Sequence, residues 1–154
     1  MSNILIERVT EISPEIMEAA TRLAPQLGSS NQVTIDEAYL KRIVENPDNY
    51  WIMARRESDA KLIGMASLVI MPMPTNIRSS LENVVVDESA RGEGAGTALC
   101  EAAKSIADGQ NVNTLRAAAS KTNGASLRML EKAGFSIEDS MHYLELSIHR
   151  GPRF

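Results

Sequence analysis

Glycines stand at alternate positions in the run Arg91-Gly92-Glu93-Gly94-Ala95-Gly96-Thr97. The run follows the β-branched stretch Val84-Val85-Val86 and precedes apolar residues at helical spacing, so it reads as a turn from a strand into a helix. Glycines at a helix start leave backbone N–H groups uncovered by side chains. Those donors, with the positive end of the helix dipole, suit an anionic phosphate. Arg91 adds a cation able to approach the same anion. The spacing narrows the choice of ligand. A dinucleotide fingerprint needs G-x-G-x-x-G, but Thr97 stands where its last glycine would be, and the G-K-[ST] of a P-loop is absent. From the turn alone, a purely structural role competes with the phosphate reading.

The elements that must hold this turn can be read from pattern. Residues 4–9 predict a first strand. Ser13 caps a helix with Pro14 at its first position, Ile16, Ala20, Leu23 and Leu27 recur on one face, and Gly28 stops it. Thr34 and Glu37 have the spacing of a capping box for a second helix, which buries Ala38, Leu40, Ile43 and Val44 and ends before Pro47. Residues 51–54 and 62–70 predict strands on either side of the polar turn Glu57-Ser58-Asp59, and the prolines make residues 71–76 a loop. Residues 81–86 predict a fourth strand, and the unbroken valines predict burial on both of its faces. Ala95, Leu99, Ala102, Ala103 and Ile106 share a helix face stopped by Gly109. Residues 115–119 form a fifth strand, residues 125–133 a helix closed by Gly134, and residues 143–148 a last strand. This order predicts a single α/β domain over residues 1–154 with a mixed sheet.

Two stretches of this chain resemble the motifs of the GNAT superfamily of acyl-CoA N-acyltransferases. Arg91, Gly94 and Gly96 after a strand fit R/Q-x-x-G-x-G/A, with Leu99 at the next apolar position. Asn123, Lys132, Gly134 and Phe135 fit N-x-x-A-x-x-x-Y-x-K-x-G-F, with Ala125 one residue early and Leu130 where tyrosine is usual. The resemblance follows the element order of nearly the whole chain and is specific over residues 81–135. It implies a GNAT-like sheet, mixed but mostly antiparallel, flanked by helices and splayed at an acyl-CoA site.

The same resemblance implies a function: transfer of an acetyl group from acetyl-CoA to a primary amine of a small molecule, by direct attack in a ternary complex, without a metal or a covalent enzyme intermediate. Acetylation of a protein N-terminus or lysine is the alternative acceptor, and a non-catalytic acyl-CoA-binding module is the alternative class. Similar proteins are commonly homodimers. The resemblance places Val84, Val85 and Val86 along the cosubstrate, with backbone groups of Val84 and Val86 pairing the pantetheine amides like an added strand. Gly92, Glu93, Gly94, Ala95, Gly96 and Thr97 wrap the pyrophosphate, Asn123 touches the pantetheine arm, and the strands splay after Val86 and after Leu115.

Acetyl transfer needs a neutral amine, a stabilised oxyanion and a protonated leaving thiol. An amine of pKa near ~10 is mostly charged at neutral pH, so a base assists. Glu82 precedes the valines, where the resemblance implies a glutamate that serves as base, and is the candidate base against the alternative of a solvent-facing strand glutamate. The resemblance implies that a backbone N–H of the fourth strand is the oxyanion donor, and that of Val84 is the candidate. With Leu130 in place of tyrosine, Tyr143 is the candidate acid, against the reading of a packed amphipathic ring. His142 and His149 lack metal-like spacing, and Cys100 reads as a small buried residue. Met71 and Met73 could line an acceptor pocket; the acceptor itself is set by residues 71–78 and the first two helices, where no motif stands.

Bulk properties exclude other classes. A formal charge of −4 without a long Lys/Arg run argues against a duplex nucleic-acid binder. No apolar run approaches the ~20 residues of a membrane span, and the N-terminus lacks the layout of a secretory signal. One cysteine allows no intramolecular disulfide, which fits a reducing cytoplasm.

Overall fold

The computed structural model describes residues 3–28, 34–146 and 148. A five-stranded sheet with strand order β1-β2-β3-β4-β5 forms its centre. The strands are β1 (Ile4–Arg8), β2 (Asn49–Arg56), β3 (Leu62–Pro72), β4 (Ile77–Val86) and β5 (Leu115–Ala117). Neighbours are antiparallel as far as β4, and β5 runs parallel to β4. Helices α1 (Pro14–Leu23) and α2 (Glu37–Glu45) pack on one face with Trp51, Met53, Met65 and Val85. Helices α3 (Ala95–Gly109) and α4 (Gly124–Lys132) pack on the other with Ile52, Ile63, Leu68 and Leu81. In β2 alternate residues thus feed two cores, one on each side of the sheet, while irregularities in β3 and β4 shift the alternation along those strands.

Local chemistry explains the helix starts. Ser13 accepts a hydrogen bond from the Ile16 N–H at 3.2 Å, and Pro14 follows it. The second helix corrects the expectation of a Thr34–Glu37 capping box. Asp36 caps α2, its carboxylate accepting from the Tyr39 N–H at 2.8 Å. Glu37 is therefore the first helical residue, too early to reach back to the cap. Ala38 is exposed, and Leu40 carries the burial with Ile43 and Val44 half-buried beside it. Leu27 lies in a 3-10 turn, Ala24–Leu27, rather than in α1.

The strands differ from expectation mainly at their ends. β3 and β4 extend to Pro72 and back to Ile77, so the expected loop shrinks to a turn closed by Met73 N–H donating to Asn76 at 2.9 Å. β5 is three residues long. Gly109 is the last residue of α3, and Asn111, at φ 58°, makes the left-handed turn after it. No strand forms among the described residues of 143–148: Tyr143 and Leu144 are each 91 % exposed. Alternating apolar residues need a partner ladder to become a strand, and the three-residue β5 offers little of one.

Candidate active site

β4 and β5 pair only at Ser79–Leu115, Ser80–Arg116 and Leu81–Ala117. From Glu82 onward β4 has no paired strand on that side among the described residues, so the divergence begins within β4 rather than after Val86. This overturns the expectation that the valines are buried on both faces. Val85 is buried at 5 %, while Val84 and Val86 are only half-buried at the opening. The Asp87 N–H donates to Ile63 at 2.7 Å, and Val86 lies opposite Gly64. Antiparallel alternation then turns the N–H and C=O of Val84 and Val86 away from β3, into the opening. These are the backbone groups expected to accept a strand-like ligand.

The strand becomes irregular just before this edge. The register with β3 shifts between Met65 and Ser67, and Asn83 adopts φ 54° in β4 opposite that shift. This is a bulge with its extra residue in the left-handed region, which asparagine tolerates better than valine would. Bulges re-aim side chains, and Asn83 is turned toward the α1/α2 side of the sheet.

Beyond Val86 the chain is pinned before it reaches the glycines. Buried Asp87 receives hydrogen bonds from the Ser89 N–H at 3.1 Å and the Ser89 hydroxyl at 3.0 Å, and it pairs with Arg22 of α1. Burial pushes the Asp87 carboxyl up, but Ser89 and the Arg22 guanidinium outweigh it and hold the group below its ordinary value. Arg22 also donates to the Leu62 carbonyl at 2.9 Å, and the Gln26 side chain accepts from the Glu88 N–H at 2.8 Å. Sequence reading missed this clasp, because its members lie 65 residues apart.

Gly92 and Gly94 then take φ 84° and 93°, the left-handed region that strains other residues. An added Cβ at either would meet nothing within 4 Å, so the turn stands clear for a ligand. Gly94 is the N-cap of α3 and makes no side-chain cap, leaving the first-turn N–H groups of Ala95, Gly96 and Thr97 without that partner. Gly96 has a further reason to be glycine. A Cβ there would collide with the Met129 sulfur, so it permits the close approach of α3 and α4. Glu93 forms an ion pair with Arg56 Nη1 at 2.8 Å. Arg56 also grips Asp59 and holds its carboxyl down at about 2. Arg91 is exposed and makes no ion pair among the described residues.

Glu82 is exposed and accepts a hydrogen bond from the Ser80 hydroxyl at 2.5 Å. It pairs in register with Ser67, so both side chains leave the same face of the sheet. On that face a chamber of about 130 Å³ lies between α1, α2 and the sheet, with Leu27, Tyr39, Trp51 and Met65 in its wall and Ser67 and Asn83 at its polar edge. The structure thus brings Glu82, the Val84 amide and the glycine turn to one end of β4. Ser67 and Asn83 were missed; an asparagine interrupting a valine strand is the signal that could have marked the bulge.

Other expected residues are placed differently. Asn123 caps α4, its side-chain oxygen accepting from the Ser126 N–H at 3.1 Å. Leu130 is 7 % exposed and belongs to the α3/α4 core. Tyr143 has its ring in solvent and no hydrogen-bond partner among the described residues, and His142 is exposed. Cys100 is fully buried, and burial pushes its thiol up to about 11, which removes it as a nucleophile near neutral pH. His149 lies outside the described residues. Among the described residues no three His, Cys, Asp or Glu side chains are grouped to hold a metal. No helix of the described residues is long and apolar enough to cross a membrane.

The family model of the acetyltransferase (GNAT) family matches residues 13–135, and the chain belongs to that family. Solved structures share the fold. An aminoglycoside acetyltransferase from an uncultured soil metagenomic sample, in complex with sisomicin, superposes with a TM-score of 0.80 at 16 % identity, covering 95 % of this chain and 97 % of that one. Glucosamine-6-phosphate N-acetyltransferase from Arabidopsis thaliana gives 0.71 at 18 % identity over 94 % of this chain and 99 % of that one. A transcriptional regulator from Bacillus halodurans C-125 gives 0.75 at 20 % identity over 95 % and 100 %. No curated protein matches the sequence.

Proposed function

We propose that this acetyltransferase uses acetyl-CoA as its donor and acetylates a primary amine of a small molecule by direct attack in a ternary complex. The observation that carries the reading is the stretch of β4 beyond Leu81 that pairs with β3 but not with β5, which leads through the Asp87 clasp to an open glycine turn at the start of α3. A thioester supplies an activated acyl group and a thiol leaving group. Val84 and Val86 offer main-chain donors and acceptors to the pantetheine amides, and the uncapped N–H groups at Ala95, Gly96 and Thr97 suit the pyrophosphate.

The remaining work falls to this chain's own groups. Glu82 takes the proton that the attacking amine must lose, and it stands on the face that carries the chamber. The Val84 N–H donates to the developing oxyanion. Leu130 supplies no proton and is buried in the core. The departing thiolate therefore takes its proton from solvent or from the amine itself.

The test is purified protein, acetyl-CoA and a panel of amines, read by thiol release and by mass of the product. The expected result is amine-dependent thiol release matched by an N-acetylated product. Tight CoA binding with no release on any amine would make the chain a binding module instead.

A further inference from the structure

We infer that the acceptor amine carries one apolar group of phenyl or branched-alkyl size, and that the chamber between α1, α2 and the sheet is its binding site. The inference rests on the reading of the β4 end as the site of transfer and names the substrate class for it. The chamber holds about 130 Å³. An apolar engineered cavity of about 150 Å³ binds benzene, so a space of this size takes an aryl ring or a short branched chain. Leu27, Tyr39, Ile43, Trp51 and Met65 form its wall, and among the described residues no carboxylate, lysine or arginine lines it. A polycationic or polyhydroxylated acceptor placed here would meet apolar surface with its polar groups unpaired.

The polar atoms sit where the amine must go. Ser67 and the bulged Asn83 occupy the edge of the chamber nearest β4, and Glu82 pairs in register with Ser67. An amine held there has its apolar group directed between the helices and its nitrogen facing Glu82. The chamber therefore selects for a short linker between the apolar group and the nitrogen. A single methylene in such a pocket changes specificity by roughly 10–200-fold, so the preference is measurable.

Trp51 is the only tryptophan of the chain and stands in the chamber wall, which gives a readout independent of turnover. Phenethylamine and isopentylamine would be compared with spermidine and glucosamine, by Trp51 emission and by thiol release. The two apolar amines are expected to change the emission saturably and to have kcat/KM at least roughly tenfold higher than the polar pair. Ile43→Phe, which fills the chamber, is expected to remove the emission change and raise KM for phenethylamine while CoA affinity stays the same. Leu27→Ala, which widens it, is expected to move the preference toward a larger aryl group, and this second variant serves if the first does not fold. Preference for spermidine or glucosamine, or two folded variants with unaltered preference, would overturn the inference. A saturable Trp51 response with no thiol release from any amine would uphold the ligand class and sink the transfer reading instead.

Discussion

The two walls that meet at β4 are made of different material. On the side of α3, the groups left open are main-chain atoms: the edge at Val84 and Val86 that faces away from β3, the left-handed Gly92 and Gly94, and the uncapped first turn of α3. On the side of α1 and α2, they are side chains: Leu27, Tyr39, Trp51, Met65, Ser67 and Asn83. A wall of backbone depends on conformation and is indifferent to most side chains. It can therefore hold one constant ligand while the rest of the sequence drifts. A wall of side chains can be rewritten one residue at a time, which suits the partner that differs between related enzymes. Glu82 stands where the two walls meet and Asp87 fastens them together, so substitutions at these two residues separate the walls most sharply.

The largest effect is expected at Glu82. Glu82→Gln keeps the shape and the partner Ser80 but cannot take a proton, and turnover should fall roughly 10²-fold near neutral pH. The loss should shrink as pH rises toward the amine's own pKa, where less of the acceptor needs a base. A steady-state pH profile with both proteins checks this, and an equal loss at every pH would make Glu82 a positioning group.

Next comes the fastening. Asp87→Asn leaves Arg22 facing a neutral group. Breaking a buried pair costs ~3–5 kcal/mol. Because the Arg22 side chain is 24 % exposed and keeps Glu18, about 2 kcal/mol is the better expectation here. For a chain of this length that is a fall in Tm of roughly 4–8 °C. The sign of the pH dependence follows from the lowered Asp87 carboxyl. Its contribution is fully present above the ordinary value of 3.8 and is lost as pH falls through the lowered one. The gap in Tm between wild type and variant should thus be level from about pH 5 to 8 and close in stronger acid. A gap that stayed open in strong acid would show that the stabilisation does not come from the Asp87 charge.

The backbone wall itself is addressed by Gly94→Val. A β-branched residue at φ 93° is strained by about 1–2 kcal/mol, and its side chain would occupy the open space over the turn. CoA affinity measured by calorimetry should fall about tenfold or more, which corresponds to about 1.4 kcal/mol, with the fold retained. Unchanged affinity in a folded variant would remove the glycine turn from the phosphate site.

The same contrast explains what could be read in the sequence. The backbone wall writes itself into glycine spacing and a valine run, so the turn, the end of the strand before it and the helix after it were legible in the sequence. The chamber is assembled from residues between Ala20 and Asn83 that no motif joins, and its members look like ordinary core residues until α1, α2 and the sheet are folded together. Strand ends were legible least well, since pairing with a neighbour decides them. β4 gained residues 77–80 from its ladder with β3, and β5 kept only the three residues that reach β4. The Thr34 cap failed for a simpler reason: Asp36, a good cap two residues later, satisfies the Tyr39 amide first.

The smallest effect is expected at Tyr143, and it asks whether either wall must supply an acid. A free thiol has a pKa near ~8.5, so the leaving thiolate gains only modestly from a donor at neutral pH. Leu130, at the helix position where tyrosine is usual, is packed in the core and carries no hydroxyl. Tyr143 was the remaining candidate, but its ring is 91 % exposed and lies in no strand. A group so placed is not held within hydrogen-bond reach of a reacting atom, which general-acid catalysis requires. Tyr143→Phe removes only the hydroxyl and disturbs no packed surface. Its kcat with an accepted amine should stay within about threefold of wild type, far below the ~10²–10⁴-fold usual for a general acid. A fall beyond tenfold with CoA affinity unchanged would mean that the segment carrying Tyr143 closes over the site during turnover, and that the acceptor side contributes a catalytic side chain from beyond its helices.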